Sequence, residues 1–349
     1  MKSEKFNRKI IALASDDGQH TGSSGYTAIV KFMPMVNAIL AHRGRKRKLT
    51  TKIAERILRM GSASCWYAVS SFSLEWKALF SKDRSTIHYL WADKDWGFLD
   101  RVPRHKKKNI LIATFHSCDD EFEKIIENPK RLRNFSAIIL MSKTQRENFI
   151  KVGVSSDKIH VIYHGVDIDH FKPREQIKKK GIFNALHVGN YRRNFEVLEK
   201  VCWALAHRND IIFTIVTSEA NHDRFSRMPN VILKARLTDD ELLLTYQEAD
   251  CLVMTATGAT ANNALLEGMA CGLPVVAECV GGIPEYVNAS SAILISPTDV
   301  SAMSSAITTI ASSASQRQEM AIAARKRAEE FDWRMVAART MSVYESVTT

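Results

Sequence analysis

Short apolar runs rich in β-branched residues recur along the whole chain, and amphipathic stretches of helical length separate them. This alternation is typical of parallel α/β units, in which a helix crosses back over the sheet after each strand. In the first half of the chain, the predicted strands are residues 9–15, 64–68, 87–91, 109–115, 137–141 and 159–162. In the second half, they are residues 184–188, 211–216, 231–233, 251–254, 274–277 and 292–295. The pattern predicts two doubly wound parallel sheets in tandem.

A charged segment between the two sets of strands is the predicted linker. It covers residues 171–181, contains Pro173 and Gly181, and has no apolar face. A chain of 349 residues is long enough for two domains, each with its own core. We therefore expect one domain over residues 1–172 and a second over residues 181–330. The remaining residues, 331–349, are predicted to form a helix that Asp332 caps.

Composition excludes several classes of protein. The chain is 45% hydrophobic and 25% charged, which is ordinary for a globular protein and excludes disorder. Its six cysteines form no Cys-x-x-Cys pair and no zinc-binding cluster, so we expect reduced thiols in a cytoplasmic protein. No apolar run approaches the roughly 18–20 residues needed to cross a bilayer, and the apolar residues 10–14 are too few for a signal peptide.

Positive charge is concentrated in the first third of the chain. Residues 1–108 hold 22 Lys and Arg against 9 Asp and Glu, whereas the other residues hold 27 against 29. Within residues 42–60, Leu49, Ile53 and Ile57 form one apolar stripe of helical spacing beside a dense set of cations. The cations expected to dock on a membrane are Arg43, Arg45, Arg47, Lys48, Lys52 and Arg56.

A basic amphipathic helix of this kind suits the surface of an anionic bilayer, where each cation contributes about 1 kcal/mol. The alternative is an exposed helix whose apolar stripe packs on its own sheet. Binding to nucleic acid is not expected, because no recognised nucleic-acid module accompanies the charge.

The most specific stretch of the sequence runs from Thr257 to Val276. A turn of small residues follows a predicted strand there, and a helix begins near Ala261. Small residues allow backbone N–H groups to approach a ligand, and a helix N-terminus favours a phosphate. Glu267 lies one to two turns along this helix, where its carboxylate can accept hydrogen bonds from ribose hydroxyls. Ligands of doubly wound sheets bind at the carboxyl ends of the strands, so we expect a nucleotide here, between the two domains.

At these residues the sequence resembles the retaining glycosyltransferases of the GT-B fold, specifically glycosyltransferase family 4. The resemblance is carried by LEGMACGLPVVA at residues 266–277 and GGIPE at residues 281–285. It is supported by VIYHGVD at residues 161–167, LHVG at residues 186–189 and FDWR at residues 331–334. It is strong over residues 137–349 and weaker over residues 1–136.

The resemblance implies two Rossmann-like domains facing each other across a cleft, with the final helix returning to the N-terminal domain. It also implies transfer of a sugar from a nucleotide diphosphate-sugar to a glycan or lipid-linked acceptor, with retention of configuration. UDP-sugars are the favoured donors and GDP-sugars the alternative. The departing phosphate would help to deprotonate the acceptor. No metal or tightly bound cofactor is required, because arginines and helix dipoles can neutralise the leaving group. The expected setting is polysaccharide or glycolipid synthesis at the inner membrane face.

Several donor-site residues correspond to the family pattern. The family has two glutamates separated by seven residues; Glu267 matches the second, which binds the ribose, and Ala259 stands in the place of the first. Gly258 belongs to the same turn. Asn262 and Asn263 offer neutral hydrogen-bonding groups where the first carboxylate is missing. The alternative for Glu267 is a solvated helix residue without a ligand.

The diphosphate site is expected in the loop GNYRRN at residues 189–194, which Gly189 opens. Asn190 stands where the family usually has an arginine. Arg193 best matches the usual phosphate-binding lysine, and its planar fork suits a diphosphate. Arg192 is the second choice, and a solvated surface arginine is the alternative for both.

A glycine loop follows the first strand and precedes a predicted apolar helix. It contains Gly22, Ser23, Ser24 and Gly25 and looks like the family's loop beside the donor phosphate and the acceptor. Relief of strain in a turn is the alternative role of its glycines.

His116 follows a predicted strand and matches a family histidine that meets the donor sugar, with Asp119 and Asp120 near enough in sequence to orient it. A structural histidine is the alternative. His164, in the motif His-Gly-Val-Asp, is expected at a hinge or at the edge of the donor site. The triplets Asp93-Lys94-Asp95 and Asp167-Ile168-Asp169 resemble metal ligands of another glycosyltransferase fold, but we expect structural roles.

Two other functions stay open at this stage. A nucleotide-sugar epimerase built on the same fold would turn over the donor without an acceptor. A catalytically silent, membrane-docked binding subunit is the other alternative, because Ala259 removes a carboxylate from the donor site.

Overall fold

The structure is a computed structural model that describes residues 9–16, 25–42, 69–79, 84–102, 109–174 and 181–348. The chain forms two units. The first contains the described residues up to Tyr163 and the last helix, and the second contains the described residues from His164 to Asp332. The chain therefore passes from one unit to the other after Tyr163 and again after Asp332. The domain limits of 1–172 and 181–330 stay a prediction.

A six-stranded parallel sheet forms the centre of the first unit. Its strands are β1 (Lys9–Asp16), β2 (Val36–His42), β3 (Ser85–Tyr89), β4 (Ile110–Phe115), β5 (Ala137–Leu140) and β6 (Ile159–Val161). They lie in the order β2-β1-β3-β4-β5-β6. The chain order reverses at β1, as in doubly wound sheets. Ile10 to Ala14 on β1 are all buried, which explains why this inner strand has a continuous apolar sequence.

The second unit has a sheet of the same kind. Its strands are β7 (Phe183–Val188), β8 (Ile211–Val216), β9 (Val231–Lys234), β10 (Cys251–Met254), β11 (Val275–Glu278) and β12 (Ala292–Ile295). They lie in the order β12-β11-β10-β7-β8-β9, and every pairing is parallel. The order reverses between β7 and β10. The predicted fold class, two Rossmann-like α/β domains in tandem, is confirmed.

Helices flank these strands along the described chain. The α-helices are α1 (Val69–Leu79), α2 (Ala92–Asp95), α3 (Phe122–Ile125), α4 (Arg146–Lys151), α5 (Phe195–Ala204), α6 (Asp239–Glu248), α7 (Asn263–Ala270), α8 (Ile283–Tyr286), α9 (Val300–Ser312), α10 (Ala314–Glu329) and α11 (Trp333–Thr348). Short 3-10 helices span Tyr26–Phe32, Leu99–Arg101, Asp119–Glu121, Pro129–Asn134, Lys143–Gln145, Ser156–Lys158 and Glu219–Arg224. Side-chain caps mark several starts: Thr238 caps α6, Asn262 caps α7 and Asp299 caps α9.

The segment after the glycine loop differs from the prediction. An apolar helix was expected there, but the structure has the 3-10 helix Tyr26–Phe32 and then strand β2. Met33, Pro34 and Met35 separate the two, and Pro34 cannot continue a helix. β2 pairs with β1 in parallel from Ile10↔Val36 onwards and forms the edge of the sheet. Its Leu40 is half exposed, which hides the strand from a search for apolar runs.

The last helix packs within the first unit. The Tyr344 hydroxyl on α11 lies 2.7 Å from Nδ1 of His88, and Nε2 of the same ring lies 2.7 Å from Oγ1 of Thr114. At the start of α11, the Trp333 ring meets Tyr26 edge to face. These buried contacts join α11 to β3, β4 and the segment after the glycine loop. The predicted break before this helix falls between Glu329 and Trp333.

Several predictions lie outside the described residues. They are the strand at residues 64–68, the basic amphipathic segment with Arg43, Arg45, Arg47, Lys48, Lys52 and Arg56, and the loop residues Gly22, Ser23 and Ser24. Within the described parts of the chain, no helix combines the length and the apolar character needed to span a membrane.

Candidate donor site and candidate catalytic histidine

Two loops at the carboxyl end of the second sheet are joined by their backbones. The Asn194 N–H donates to the Thr255 carbonyl at 3.2 Å, and the Thr257 N–H donates to the Arg192 carbonyl at 3.0 Å. Arg193 and Ala256 form an isolated antiparallel bridge between these two bonds. The loop after β7 and the loop after β10 therefore form one continuous surface.

The Arg193 side chain crosses this surface directly over Gly189. A Cβ at residue 189 would lie 2.5 Å from Nη2 of Arg193, and Gly189 has a φ of +117°. The left-handed φ favours glycine there, and a Cβ would displace the Arg193 guanidinium from its present place. The guanidinium donates to the Val188 carbonyl at 3.0 Å, the Tyr191 carbonyl at 3.1 Å and Oδ1 of Asn262 at 3.2 Å. Burial lowers the pKa of Arg193 to about 10, so the group stays cationic at neutral pH.

Arg192 lies over a second glycine, Gly258. We call the two arginines, Arg192 and Arg193, together with the two glycines beneath them the arginine cradle. A Cβ on Gly258 would come within 2.5 Å of Nη2 of Arg192, which also donates to the Thr257 carbonyl at 3.4 Å. Arg192 itself has a φ of +53°, a left-handed conformation that is uncommon for a non-glycine residue, and its carbonyl accepts from the Thr257 N–H at 3.0 Å. Each predicted arginine thus pairs with one predicted glycine.

Asn190 has a different role from the arginine usual at its position. Its Oδ1 accepts from Oγ1 of Thr217 and from the Ser218 N–H, both at 2.6 Å. Nδ2 of Asn221 lies 3.4 Å from the same oxygen. Asn190 therefore holds the loop after β7 against the turn after β8, which leaves the cationic role to its neighbours.

Helix α7 brings the predicted polar residues to the same place. Oδ1 of Asn262 accepts from the Leu265 N–H at 3.2 Å as the N-cap, and it is the same oxygen that Arg193 contacts. Asn263 is the first residue of the helix. Glu267 is only 4% exposed, and its Oε2 accepts from the Tyr246 hydroxyl at 2.8 Å. A solvated helix glutamate is therefore ruled out for Glu267.

Close packing explains the first of the two glycines after β11. A Cβ on Gly281 would lie 2.2 Å from the Ala259 carbonyl oxygen, and the Gly282 N–H donates to that oxygen at 2.7 Å. Ala259 itself is buried. The turn at residues 281–282 thus supports the backbone at the position where the family usually has its first glutamate.

Sequence analysis missed two buried groups of this site, Tyr246 and Glu278. Glu278 accepts from the Ala256 N–H and from the Thr298 N–H, both at 2.7 Å, and so ties the loop after β10 to the turn after β12. The signal available in the sequence was a charged residue, Glu278, that directly follows a short apolar run at residues 275–277. Tyr246 lies within α6, where an apolar helical face predicts only core packing.

In the first unit, His116 follows β4 as predicted. Its Nε2 lies 2.8 Å from the Leu90 carbonyl oxygen, which can only accept, so Nε2 carries a proton and Nδ1 is the acceptor of the neutral ring. The ring stacks on Trp91 with centroids 3.8 Å apart. Tyr26, next to Gly25, meets it edge to face at 4.7 Å. These neighbours hold the imidazole in one orientation.

The carboxylates of Asp93-Lys94-Asp95 bind the protein itself. Asp93 accepts from the His116 N–H at 2.7 Å, the Ser117 N–H at 3.1 Å and the Ser117 hydroxyl at 2.5 Å. Complete burial raises the pKa of Asp93 despite these bonds. Asp95 accepts from Ser15 and Ser71. These hydrogen bonds match the structural role expected of both carboxylates. Through them Asp93 fixes the backbone of His116.

The motif around His164 lies at the start of the second unit. The His164 N–H donates to the Tyr286 hydroxyl at 2.9 Å, and Nδ1 donates to the Gly165 carbonyl at 2.8 Å. Val166 forms a bridge with Asp332, so the two points where the chain changes unit are tied together. Asp167 accepts from two following backbone N–H groups, which is the turn role expected of the second triplet.

Two tandem parallel sheets, with an arginine cradle and a capped helix N-terminus at the strand ends of the second, define a double Rossmann-like protein. Residues 183–313 match the family model "Glycosyl transferases group 1", and residues 94–170 match "Glycosyltransferase Family 4". The chain is a GT-B, group 1 glycosyltransferase that resembles family 4.

Known proteins share parts of the sequence and all of the fold. MMP alpha-(1->4)-mannosyltransferase of Mycolicibacterium hassiacum is 27% identical over 234 residues, which are 63% of this chain and 56% of that protein. The matches span about half the length of such curated relatives. A sucrose-phosphate synthase of Thermosynechococcus elongatus has a TM-score of 0.74 at 17% identity, with 97% of this chain and 99% of that chain covered. Anabaena Alr3699/HepE in complex with UDP-glucose has a TM-score of 0.72 at 16% identity, with coverage of 97% and 99%.

Proposed function

We propose that this protein transfers a sugar from a nucleotide diphosphate-sugar, with a UDP-sugar favoured over a GDP-sugar, to a glycan or lipid-linked acceptor. Configuration is retained, and the acceptor belongs to polysaccharide or glycolipid synthesis at the inner membrane face. The family match supports the sugar transfer, and the UDP-glucose complex of Anabaena Alr3699/HepE supports the donor class.

The observation that carries the proposal is the placement of Arg193. Its guanidinium lies over Gly189 and touches Asn262, the cap of the helix that carries Glu267. Among the described residues, its hydrogen bonds go to two backbone carbonyls and one amide oxygen, all neutral, so the cation keeps its capacity to bind an anion. A diphosphate bound there would also meet the positive end of α7.

The residues divide the chemistry between them. Arg193, Arg192 and the α7 N-terminus stabilise the charge that develops on the departing diphosphate. Glu267 accepts hydrogen bonds from the ribose. In the first unit, Nδ1 of His116 accepts a hydrogen bond from the transferred sugar or the acceptor, while Asp93, Trp91 and Leu90 keep the ring in place.

A panel of UDP- and GDP-sugars tests the donor by thermal shift, because a ligand that binds only the folded state raises the apparent Tm. Product analysis with the donor that binds then separates transfer from donor turnover without an acceptor, which an epimerase would show. Both activities are expected to fall in His116→Ala and Glu267→Ala. Unchanged turnover in both variants would contradict the site assignment, and absence of any turnover in the wild type would favour a binding subunit.

Membrane docking by the basic segment is a separate part of the proposal. Its support is the excess of 22 cations over 9 anions in residues 1–108 and the half-exposed Trp76 on α1, which follows that segment. Charge reversal at Arg45, Arg47 and Lys48 should weaken binding to vesicles that contain anionic lipid. Reversal of Lys200, Arg227 and Lys326, three exposed cations of the second unit, is the control. Equal binding by the two triple variants would reject docking through the basic segment.

A further inference from the structure

Tyr246 is a buried group that the proposed chemistry does not yet use. It lies near the end of α6, which starts at a capping box formed by Thr238 and Glu241. The ring is fully buried and packs edge to face against the Phe171 ring, with the two centroids 5.9 Å apart. Its hydroxyl reaches across to α7 and donates to Oε2 of Glu267 at 2.8 Å. A core position alone does not require a hydroxyl there.

The carboxylate that Tyr246 contacts is itself buried. The terminal torsion of a glutamate has broad minima, so a free carboxylate would rotate. A short hydrogen bond from a buried phenol selects one orientation of the Glu267 oxygens. Arg193 contacts Oδ1 of Asn262, the N-cap of the helix that carries Glu267, so one helix connects this pair to the arginine cradle.

We propose that Tyr246 is a positioning residue that orients Glu267 toward the ribose hydroxyls of the donor nucleotide. This inference rests on the proposed function, since it assigns Glu267 to the ribose. It makes a specific claim: the Tyr246 hydroxyl and a ribose hydroxyl are energetically coupled through Glu267. A tyrosine that only packs the core would affect every nucleotide equally.

The test uses calorimetric titration of the whole protein with UDP, 2′-deoxy-UDP and 3′-deoxy-UDP, and with the corresponding GDP series. Tyr246→Phe removes one hydroxyl and keeps the ring. We expect it to weaken binding of the ribonucleotide about three- to tenfold, which is the effect of losing one ordinary hydrogen bond, because the Glu267 contact is misoriented rather than removed. Binding of the deoxy analogue that lacks the hydroxyl contacted by Glu267 should change less than about twofold.

Tyr286→Phe is the matched control. Tyr286 is another fully buried tyrosine of the second unit, and its hydroxyl accepts from the His164 N–H at 2.9 Å. Its loss is expected to lower the Tm and to leave the ratio of ribonucleotide to deoxynucleotide affinity unchanged. Glu267→Gln supplies a second route: adding Tyr246→Phe to it should cause no further loss of ribose discrimination, even if the single tyrosine variant folds poorly.

The outcomes separate this inference from the proposed function. Parallel weakening of all analogues by Tyr246→Phe, or no weakening at all, overturns the positioning role while UDP or GDP binding by the wild type upholds the donor site. A wild type that binds neither UDP nor GDP overturns both.

Discussion

The two units have the same kind of sheet but use the charged side chains at its carboxyl end in different ways. In the first unit, buried carboxylates dominate: Glu75, Asp93, Asp95 and Asp100 are all at most 1% exposed. In the second unit, two arginines lie over glycines beside a helix N-terminus. The first arrangement stabilises a protein loop, whereas the second leaves positive charge to bind a ligand.

The carboxylates of the first unit are used within the protein. Glu75 accepts from the backbone N–H groups of residues 97, 98 and 99 and from the Tyr89 hydroxyl. Asp100 pairs with Arg131, a salt bridge shielded from solvent. Together with Asp93 and Asp95, these groups hold residues 91–102 against the strand ends, and this segment carries Trp91, the partner of His116.

Charge in the sequence does not predict charge at the site. The N-terminal third has the large excess of cations, yet its sheet ends in buried anions. The remainder of the chain is nearly neutral, yet it supplies Arg192 and Arg193 to the cradle. The cradle thus depends on two arginines that their loops hold in place, and not on the net charge of the part of the chain that carries them.

The proposed roles divide between the units: the first unit supplies His116 for the chemistry, and the second supplies the arginine cradle for the nucleotide. The largest effect that would test this division is expected at His116. His116→Ala should lower kcat about 10²- to 10⁴-fold, as for loss of a group that exchanges a proton or hydrogen bond in the transition state. The Kd for UDP should stay the same, because the cradle belongs to the other unit. Steady-state kinetics and calorimetry check both values, and His160→Ala in the same unit is the control. A weakened UDP affinity would break the division of roles.

The reverse pattern is expected at Arg193. Arg193→Ala removes a cation that binds through charge-assisted hydrogen bonds, worth about 1.5–3 kcal/mol, so the Kd for UDP should rise about 10- to 150-fold. Arg193→Lys keeps the positive charge but loses the planar fork of the guanidinium, so its Kd for UDP should lie between those of the wild type and Arg193→Ala. Calorimetric titration with UDP measures the series. Equal UDP affinities for the wild type and Arg193→Ala would contradict the assignment of the arginine cradle to the donor site.

Each unit also contains one histidine whose pKa burial lowers to about 3, His88 in the first and His187 in the second. The unfolded chain takes up a proton at each below about pH 6.5, while the folded chain does not, so stability falls as the pH drops from 6.5 toward 3. Each histidine should cost about 2 kcal/mol of unfolding free energy at pH 5 relative to neutral pH. Urea unfolding at the two pH values checks this.

His88→Gln and His187→Gln should each remove one share of that pH dependence. Because the two residues lie in different units, their effects should be additive. If neither variant reduces the slope between pH 7 and 5, the acid sensitivity comes from other groups.

The smallest effect is expected at Asn190. Asn190→Ala removes the acceptor that holds the loop after β7, and at about 0.5–1.5 kcal/mol for a neutral hydrogen bond the affinity for UDP should fall about threefold. Asn221→Ala is the control: it removes hydrogen bonds to Thr217 and Ser218 within the turn after β8, but it takes from Asn190 only the long 3.4 Å contact and leaves the two 2.6 Å contacts in place. Loss of affinity in the control alone would place the support of the loop elsewhere.

Much of the fold could be predicted because its signals are local. Buried strands such as β7 and β10 are short apolar runs, and Asn262 and Gly272 mark the start and end of α7. Edge strand β2 was missed because it is partly exposed and follows a 3-10 helix, so no continuous apolar run marks it. In the site, Arg193, Gly189 and Glu267 were predicted from their places in motifs.

The sequence by itself determined the two α/β sheets and the motifs of the proposed donor site, since these depend on patterns within some twenty residues. Only the tertiary structure decided how those residues pair: Arg193 with Asn262, Tyr246 with Glu267, and Asp93 with the backbone of His116. The partners in these pairs lie 69, 21 and 23 positions apart. They meet because parallel strands bring their carboxyl ends to one edge, where hydrogen bonds between separate loops orient each side chain.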